Sequence, residues 1–269
     1  MIFSEPLETL WQRRFGQDPP AGIPEAVVPF LRHRSVRKFL PEPIDPAVHE
    51  ALIAAATSAS TSSNLQLYSV VSVQDPERRA RIAELCANQE QVKSCAWFVA
   101  WFADHQRLRH AAALVGEECN GLDYTEFMLM ATIDVALAAE RMACAAEALG
   151  LGVCYIGALR NNPPGVAELL KAPAGAVGLF GMCLGWPDPS ASPAIKPRMS
   201  LDSIWHQEAF PDEASIGDYD ARMTEFYQEQ GMSSSASWSQ KSGRRVDEHH
   251  LSGREVLREW LDKNQMGTR

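Results

Sequence analysis

The stretch YTEFMLMATIDVALAAERMACAAEAL, residues 124–149, settles the kind of fold. It is rich in alanine, the best helix former, and carries Met128, Met130, Ile133, Val135, Leu137 and Met142. Asp134, Glu140, Arg141 and Glu147 are its polar exceptions. A helix that is apolar on nearly every side must be covered on nearly every side. In a chain of 269 residues, that predicts a central helix partly covered by a second subunit. Gly150 and Gly152 are expected to close it.

Working toward the N-terminus, Ala96–Phe102 is a continuous apolar run and reads as a buried strand. The polar segment Asp104–Arg109 leaves it. Leu67–Val73 is β-branched and reads as a second strand, with a helix opening at Asp75-Pro76 after it. Ahead of that strand, Ser58–Gln66 is a loop of hydroxyls and amides. Asp45 suits an N-cap and Pro46 a first helical position, for a helix reaching about Thr57. Residues 1–22 hold Leu7, Leu10, Trp11 and Phe15 at helical spacing and form an accessory arm expected to pack on the main body, with a contact to a partner chain as its further role. A second short helix, about Pro24–His33, follows it. Toward the C-terminus, Val153–Gly157 and Val177–Leu184 read as strands, with a helix between them capped at Arg160–Pro164. Residues 23–269 form one mixed domain with a polar C-terminal extension from about residue 203. That extension is expected to hold helices near Ile216–Gln230 and Arg254–Lys263 and a serine loop at Ser233–Ser237.

The formal net charge of −9 argues against a nucleic-acid surface, which needs a broad basic face. No apolar run approaches the roughly 20 residues needed to span a bilayer, and the N-terminus does not read as a signal peptide. A cytoplasmic protein is expected. The six cysteines form no Cys-x-x-Cys pair and read as buried free thiols; the histidines do not cluster at metal spacing, so no metal site is expected.

Against this acidic background, Arg32-His33-Arg34-Ser35-Val36-Arg37-Lys38-Phe39 is a dense cationic patch. Ser60–Gln66 is a second polar stretch, and in Lys196-Pro197-Arg198 a proline stiffens two further cations. Together they suit an anionic, polyhydroxylated ligand, because arginine's planar fork matches phosphate oxygens. No Gly-x-Gly-x-x-Gly follows a strand and no Walker-type Gly-Lys-Ser/Thr is present, so side chains must grip the phosphate.

These stretches occur in one order with Gln89, Glu147–Gly152, Tyr155–Asn161 and Leu184–Pro187. In that order the chain resembles the nitroreductase family of FMN enzymes, most closely the oxygen-insensitive NADPH nitroreductases and NADPH–flavin oxidoreductases. The resemblance covers about residues 30–265. It implies an α+β fold, with a central, mostly antiparallel sheet flanked by helices in an intertwined homodimer carrying FMN at the subunit interface. It assigns Arg34, Lys196 and Arg198 to the FMN phosphate, with His33 and Ser35 nearby, and Arg37 to the pyrimidine edge of the flavin. Thr61, Ser62, Ser63, Asn64 and Gln66 would come from the partner subunit, and Gln89 would touch the ring edge. Tyr155, Ile156, Gly157 and Ala158 would run beside the ring and offer backbone N–H groups. No catalytic side chain is implied, since the flavin carries the chemistry.

Blander roles stay open for several of these. Thr61 could equally line a turn, Ser35 cap one, Gly157 allow close packing and Tyr155 belong to the core. The implied activity is a ping-pong transfer from NADPH or NADH through FMN to nitroaromatics, quinones or similar acceptors. The alternatives are a flavin reductase supplying reduced FMN to a monooxygenase, or a non-catalytic flavin-binding protein. Three departures from the family pattern stand out. The loop Gly231–Trp238 lacks the arginines that grip the NADPH 2′-phosphate, Ala158 replaces a glycine, and Asn64 replaces an apolar residue.

Overall fold

The computed structural model describes residues 5–191, 193–232 and 236–269. The expected loop residues Ser233–Ser235 lie outside that set. Eleven α-helices and four strands follow in chain order among the described residues: α1 (Leu7–Phe15), α2 (Val28–Leu31), α3 (Pro46–Thr57), β1 (Tyr68–Val73), α4 (Pro76–Leu85), α5 (Glu90–Ser94), β2 (Trp97–Asp104), α6 (Gln106–Val115), α7 (Thr125–Ala148), β3 (Gly152–Ile156), α8 (Pro163–Leu170), β4 (Ala176–Gly185), α9 (Tyr219–Glu229), α10 (Trp238–Arg245) and α11 (Leu257–Lys263). None of these helices is long and apolar enough to cross a membrane. The chain forms two compact units, one of residues 1–34 and 193–251, the other of 35–192 and 252–269. The described residues of the expected accessory arm, 5–22, belong to the first.

The second unit holds the sheet. Its order is β1-β2-β4-β3, with every pair antiparallel. Both faces are covered, so β2 is apolar on both sides and buried at every residue. Trp97, Val99, Trp101 and Ala103 enter a core shared with α3 and α7, while Phe98, Ala100 and Phe102 enter another shared with α4, α5 and α8. Strand alternation sorts the side chains. Fully burying each large aromatic contributes on the order of 2–3 kcal/mol. In β4 the register slips beside Trp101/Phe102, leaving Leu179 between the paired residues Gly178 and Phe180. Residues facing the α7 core therefore change from Val177 and Leu179 to Met182 and Leu184.

α7 is not covered on every side by its own chain. Ala131, Val135, Ala138, Ala139, Met142 and Ala146 are buried, whereas Leu129, Ile133 and Leu137 are 55%, 52% and 43% exposed. Those three are spaced four residues apart and share one face. Asp134, expected as a polar exception, is fully buried. Its Oδ1 accepts from Ser62 N–H at 2.7 Å and its Oδ2 from Leu67 N–H at 3.2 Å. Gly150 follows the helix at φ 85°, but Gly152 is no cap: it opens β3.

Asp45 caps α3 as expected, accepting from Ala47 N–H, with Pro46 in the first turn. Three helices go beyond the expectation: the short α5, α6 and α10. α6 replaces the polar exit after β2, and none of its residues is fully buried. Asp104 Oδ1 opens it by accepting from Gln106 N–H at 2.8 Å. In the first unit, α10 opens with a Ser237/Gln240 capping box, and that Ser-x-x-Gln spacing was a legible signal. α1 carries Leu10 and Trp11 into the interior of its own chain. Among the described residues all six cysteines are free, with Cys86, Cys95, Cys154 and Cys183 buried. Burial pushes the Cys86 thiol up to about 12.

Asp134→Ala leaves the buried Leu67 amide without an acceptor, at about 1–3 kcal/mol, and the half-buried Ser62 amide at a smaller cost. Urea unfolding is expected to show that loss, with about half of it in Asp134→Asn. Amide exchange at Ser62 and Leu67 should accelerate in both.

Candidate flavin site

In the first unit the expected phosphate ligands fall on two segments. His33 and Arg34 end the short run from α2 and are half-buried; Lys196 and Arg198 are exposed on either side of buried Pro197. Main-chain atoms of both segments are bonded within the unit. Arg14 of α1 donates to the carbonyls of Leu31 at 3.0 Å, Lys196 at 2.8 Å and His33. The Arg198 N–H donates to the Arg14 carbonyl at 2.6 Å. Tyr219 donates its hydroxyl to Pro197 O at 3.1 Å, and Arg222 Nη2 donates to Arg198 O at 3.0 Å. Among the described residues no carboxylate pairs with Arg34 or Arg198, so their charge is available to a phosphate. That donor set fits the phosphate end of FMN.

In the second unit a group forms along the β3 edge. Ser35 bridges Val153 in parallel, and Val36 N–H donates to Val153 O at 2.9 Å. The approach is tight: a Cβ on Gly152 would lie 2.7 Å from Val36 Cβ. Ser35 and Arg37 are thus laid beside the strand that carries Tyr155 and Ile156. Burial pushes the neighbouring Cys154 thiol up and the positive charge of Arg37 opposes it, which places that guanidinium near the strand. Tyr155 is 36% exposed, packs edge-on against Phe180 and donates to Glu140 at 3.0 Å. Burial and the Glu140 carboxylate raise its phenol, so it stays neutral. Ile156 and Ala158 are buried in the core under the strand. The Ala158 methyl therefore packs into that core. Gly157 has room for a Cβ, with nothing closer than 3.7 Å, so close packing does not require it. Gln89 precedes α5, and its amide oxygen accepts from Gln91 at 2.7 Å.

Thr61, Ser62, Ser63, Asn64 and Gln66 lie apart from this group. They precede β1, the opposite edge of the sheet, three strand spacings or about 14 Å from β3. Ser63, Asn64 and Gln66 have φ of 49°, 57° and 53°. Asn64 suits that left-handed backbone better than most residues, a reason for its presence beyond polarity. Arg107 holds the Gln66 carbonyl at 2.8 Å, and Asp134 holds both ends of the loop. Asp134 is the supporting residue that sequence reasoning missed; its only signal was a single carboxylate in the apolar stretch 127–139 of α7. No cluster of three metal-ligating side chains occurs among the described residues.

The family model described as "Nitroreductase family" matches residues 31–186, and "Nitroreductase family, C-terminal domain" matches 196–269. The chain belongs to the nitroreductase family. This nitroreductase-family protein is 35% identical over 240 residues to an oxygen-insensitive NADPH nitroreductase of Salmonella typhimurium, covering 88% of this chain and 96% of that one. It is 38% identical over 215 residues to an NADPH-flavin oxidoreductase of Vibrio harveyi, covering 78% and 86%. Among solved structures it is similar to an NADPH:FMN oxidoreductase from Vibrio harveyi complexed with NAD+, with a TM-score of 0.78, 33% identity, and 91% and 100% of the two chains covered. The family matches begin at residue 31, so α1 lies outside both.

Gly152→Ala forces Val36 away from β3 and draws Ser35 and Arg37 with it. Overpacking of this kind costs about 1–3 kcal/mol. The expected result is a lower melting temperature and weakened FMN binding, measured by flavin fluorescence.

Proposed function

We propose that the chain is an FMN-dependent NAD(P)H oxidoreductase of the nitroreductase type. The observation that carries the reading is the cationic set Arg34, Lys196 and Arg198 beside His33 in a chain of this family, with main-chain bonds at His33, Lys196 and Arg198. Bound FMN supplies the redox chemistry, taking a hydride from a nicotinamide and passing two electrons to a nitroaromatic, quinone or similar acceptor. The protein's residues bind and orient. Arg34, Lys196 and Arg198 neutralise the phosphate, with His33 and Ser35 beside them. Arg37 sets a positive charge at the pyrimidine edge, which favours the anionic reduced flavin. Backbone N–H groups of Tyr155–Ala158 are pre-positioned donors, and they cost no side-chain entropy. Gln89 orients the ring edge.

The acceptor site is completed by a second copy of the chain, whose Thr61–Gln66 loop joins the β3 group of the first. Two observations support this. The loop and the β3 group sit on opposite edges of one sheet, and α7 leaves Leu129, Ile133 and Leu137 uncovered. Ile133→Asp is expected to shift the protein from dimer to monomer in light scattering and to weaken FMN retention at least about tenfold.

Arginines are missing from Gly231–Trp238, so discrimination for NADPH is either relaxed toward NADH or carried by α10. Arg245 donates to His250 O at 2.8 Å, which leaves Arg244 as the better placed of the two for a 2′-phosphate. Anaerobic addition of NADPH, then separately NADH, to the yellow protein should bleach it. A protein that keeps its colour with both is not an oxidoreductase of this kind. Strong NADPH preference surviving the Arg244→Ala/Arg245→Ala double change overturns both versions of the nucleotide proposal. Release of reduced FMN during turnover, detected in the filtrate, would mark a flavin reductase instead.

A further inference from the structure

The arm outside the family matches carries a buried cation, Arg14, 4% exposed. Burying a guanidinium is costly unless its donors are satisfied. Here Nε reaches Leu31 O at 3.0 Å, Nη1 reaches Lys196 O at 2.8 Å, and Nη2 reaches His33 O. His33 directly precedes Arg34, and Lys196 lies two residues before Arg198. One rigid fork therefore bonds both of the segments that carry the cations, though they are far apart in sequence. The main chain of Arg14 adds a further link, since its carbonyl accepts from Arg198 N–H at 2.6 Å.

The end of α1 is fitted to the same place. Arg222 Nη2 donates to Arg198 O at 3.0 Å, its Nη1 to Arg14 O at 3.4 Å, and its Nε to both Asp218 oxygens at 3.1 Å. A Cβ at residue 16 would stand 2.5 Å from Arg222 Cδ, and Gly16 has φ 71°. Only glycine meets both conditions without displacing Arg222. Neither Arg14 nor Gly16 belongs to the cationic stretches themselves, and composition does not distinguish them from the other residues of an amphipathic helix.

We propose that Arg14 is a positioning residue for the flavin phosphate: the accessory arm clamps the His33–Arg34 and Lys196–Arg198 segments at a fixed separation, so that their cations meet one phosphate without being reordered. This rests on the reading that Arg34, Lys196 and Arg198 grip the FMN phosphate. Ordering two flexible segments at the moment of binding would weaken affinity, and a preformed clamp removes that cost. The buried charge of Arg14 also adds to the local positive potential.

The test compares FMN with riboflavin, which lacks the phosphate, on the full chain stripped of flavin. Binding is followed by fluorescence quenching. Arg14→Met is expected to weaken FMN about tenfold or more and riboflavin less than about twofold. Arg14→Lys keeps the charge but cannot fork to three carbonyls, so it should recover little. Full recovery by lysine overturns the clamp in favour of charge alone. An equal loss for both flavins overturns it in favour of a merely structural arm. Should Arg14→Met not fold, Arg14→Gln and Gly16→Ala carry the same comparison. Arg198→Ala separates the two readings. If it abolishes the FMN-over-riboflavin ratio while Arg14→Met leaves the ratio intact, only the clamp falls. If neither variant changes the ratio, the phosphate assignment falls and the clamp with it.

Discussion

Everything in the second unit follows from one constraint: its sheet is antiparallel yet buried on both faces. Antiparallel sheets usually leave one face to solvent and alternate apolar with polar residues. Here β2 cannot alternate, because Trp97 and Trp101 enter one core and Phe98 and Phe102 the other. Helices must then cover both sides, α3 and α7 on one, α4, α5 and α8 on the other. Only the two edges and the strand ends remain for binding. The polar segments of the unit are found there, Ser35 and Arg37 beside β3 and the hydroxyl loop before β1.

That division has a consequence for the site. Residues on opposite edges of one sheet cannot close on a single small ligand, since about 14 Å of packed strand intervenes. In the proposed dimer a second copy would resolve the separation, and α7 offers a surface for it. Its buried side is small and alanine-rich, which lets it lie close to the sheet, and its other side shows Leu129, Ile133 and Leu137. The pressure to cover that apolar stripe and the need to bring two half-sites together point to the same assembly.

Two buried charges organise the polar parts, and each is used on backbone. Asp134 accepts from Ser62 and Leu67 and so fixes the loop ahead of β1. Arg14 donates to Leu31, His33 and Lys196. A charge withdrawn from water is stable only where its hydrogen-bonding capacity is met, and main-chain groups meet it without adding flexible partners. Both side chains therefore fix loop geometry while leaving the solvent-facing cations and hydroxyls available to a ligand.

The elements were legible where a local rule dominates. Asp45-Pro46 announces α3 by cap chemistry, the runs at Trp97 and Val177 announce strands by unbroken apolarity, and the α7 stretch announces its helix by alanine content. The cationic segments were visible as composition against an acidic chain. α6 was not, because its opening residues Gln106, Arg107, Arg109 and His110 are polar and none of its residues is fully buried, and α10 follows a serine run although its capping box is present. Residues whose role depends on distant backbone stayed hidden. Asp134 looked like a surface interruption of an apolar helix, Gly152 like a cap, and Arg14 like the polar face of an arm. Local sequence decides which segments become helix or strand, since propensity, caps and periodicity act over a few residues. Which buried charge holds which carbonyl, and which glycine admits a neighbouring chain, was decided only by tertiary packing, because the partners are distant in sequence and meet only in the folded chain.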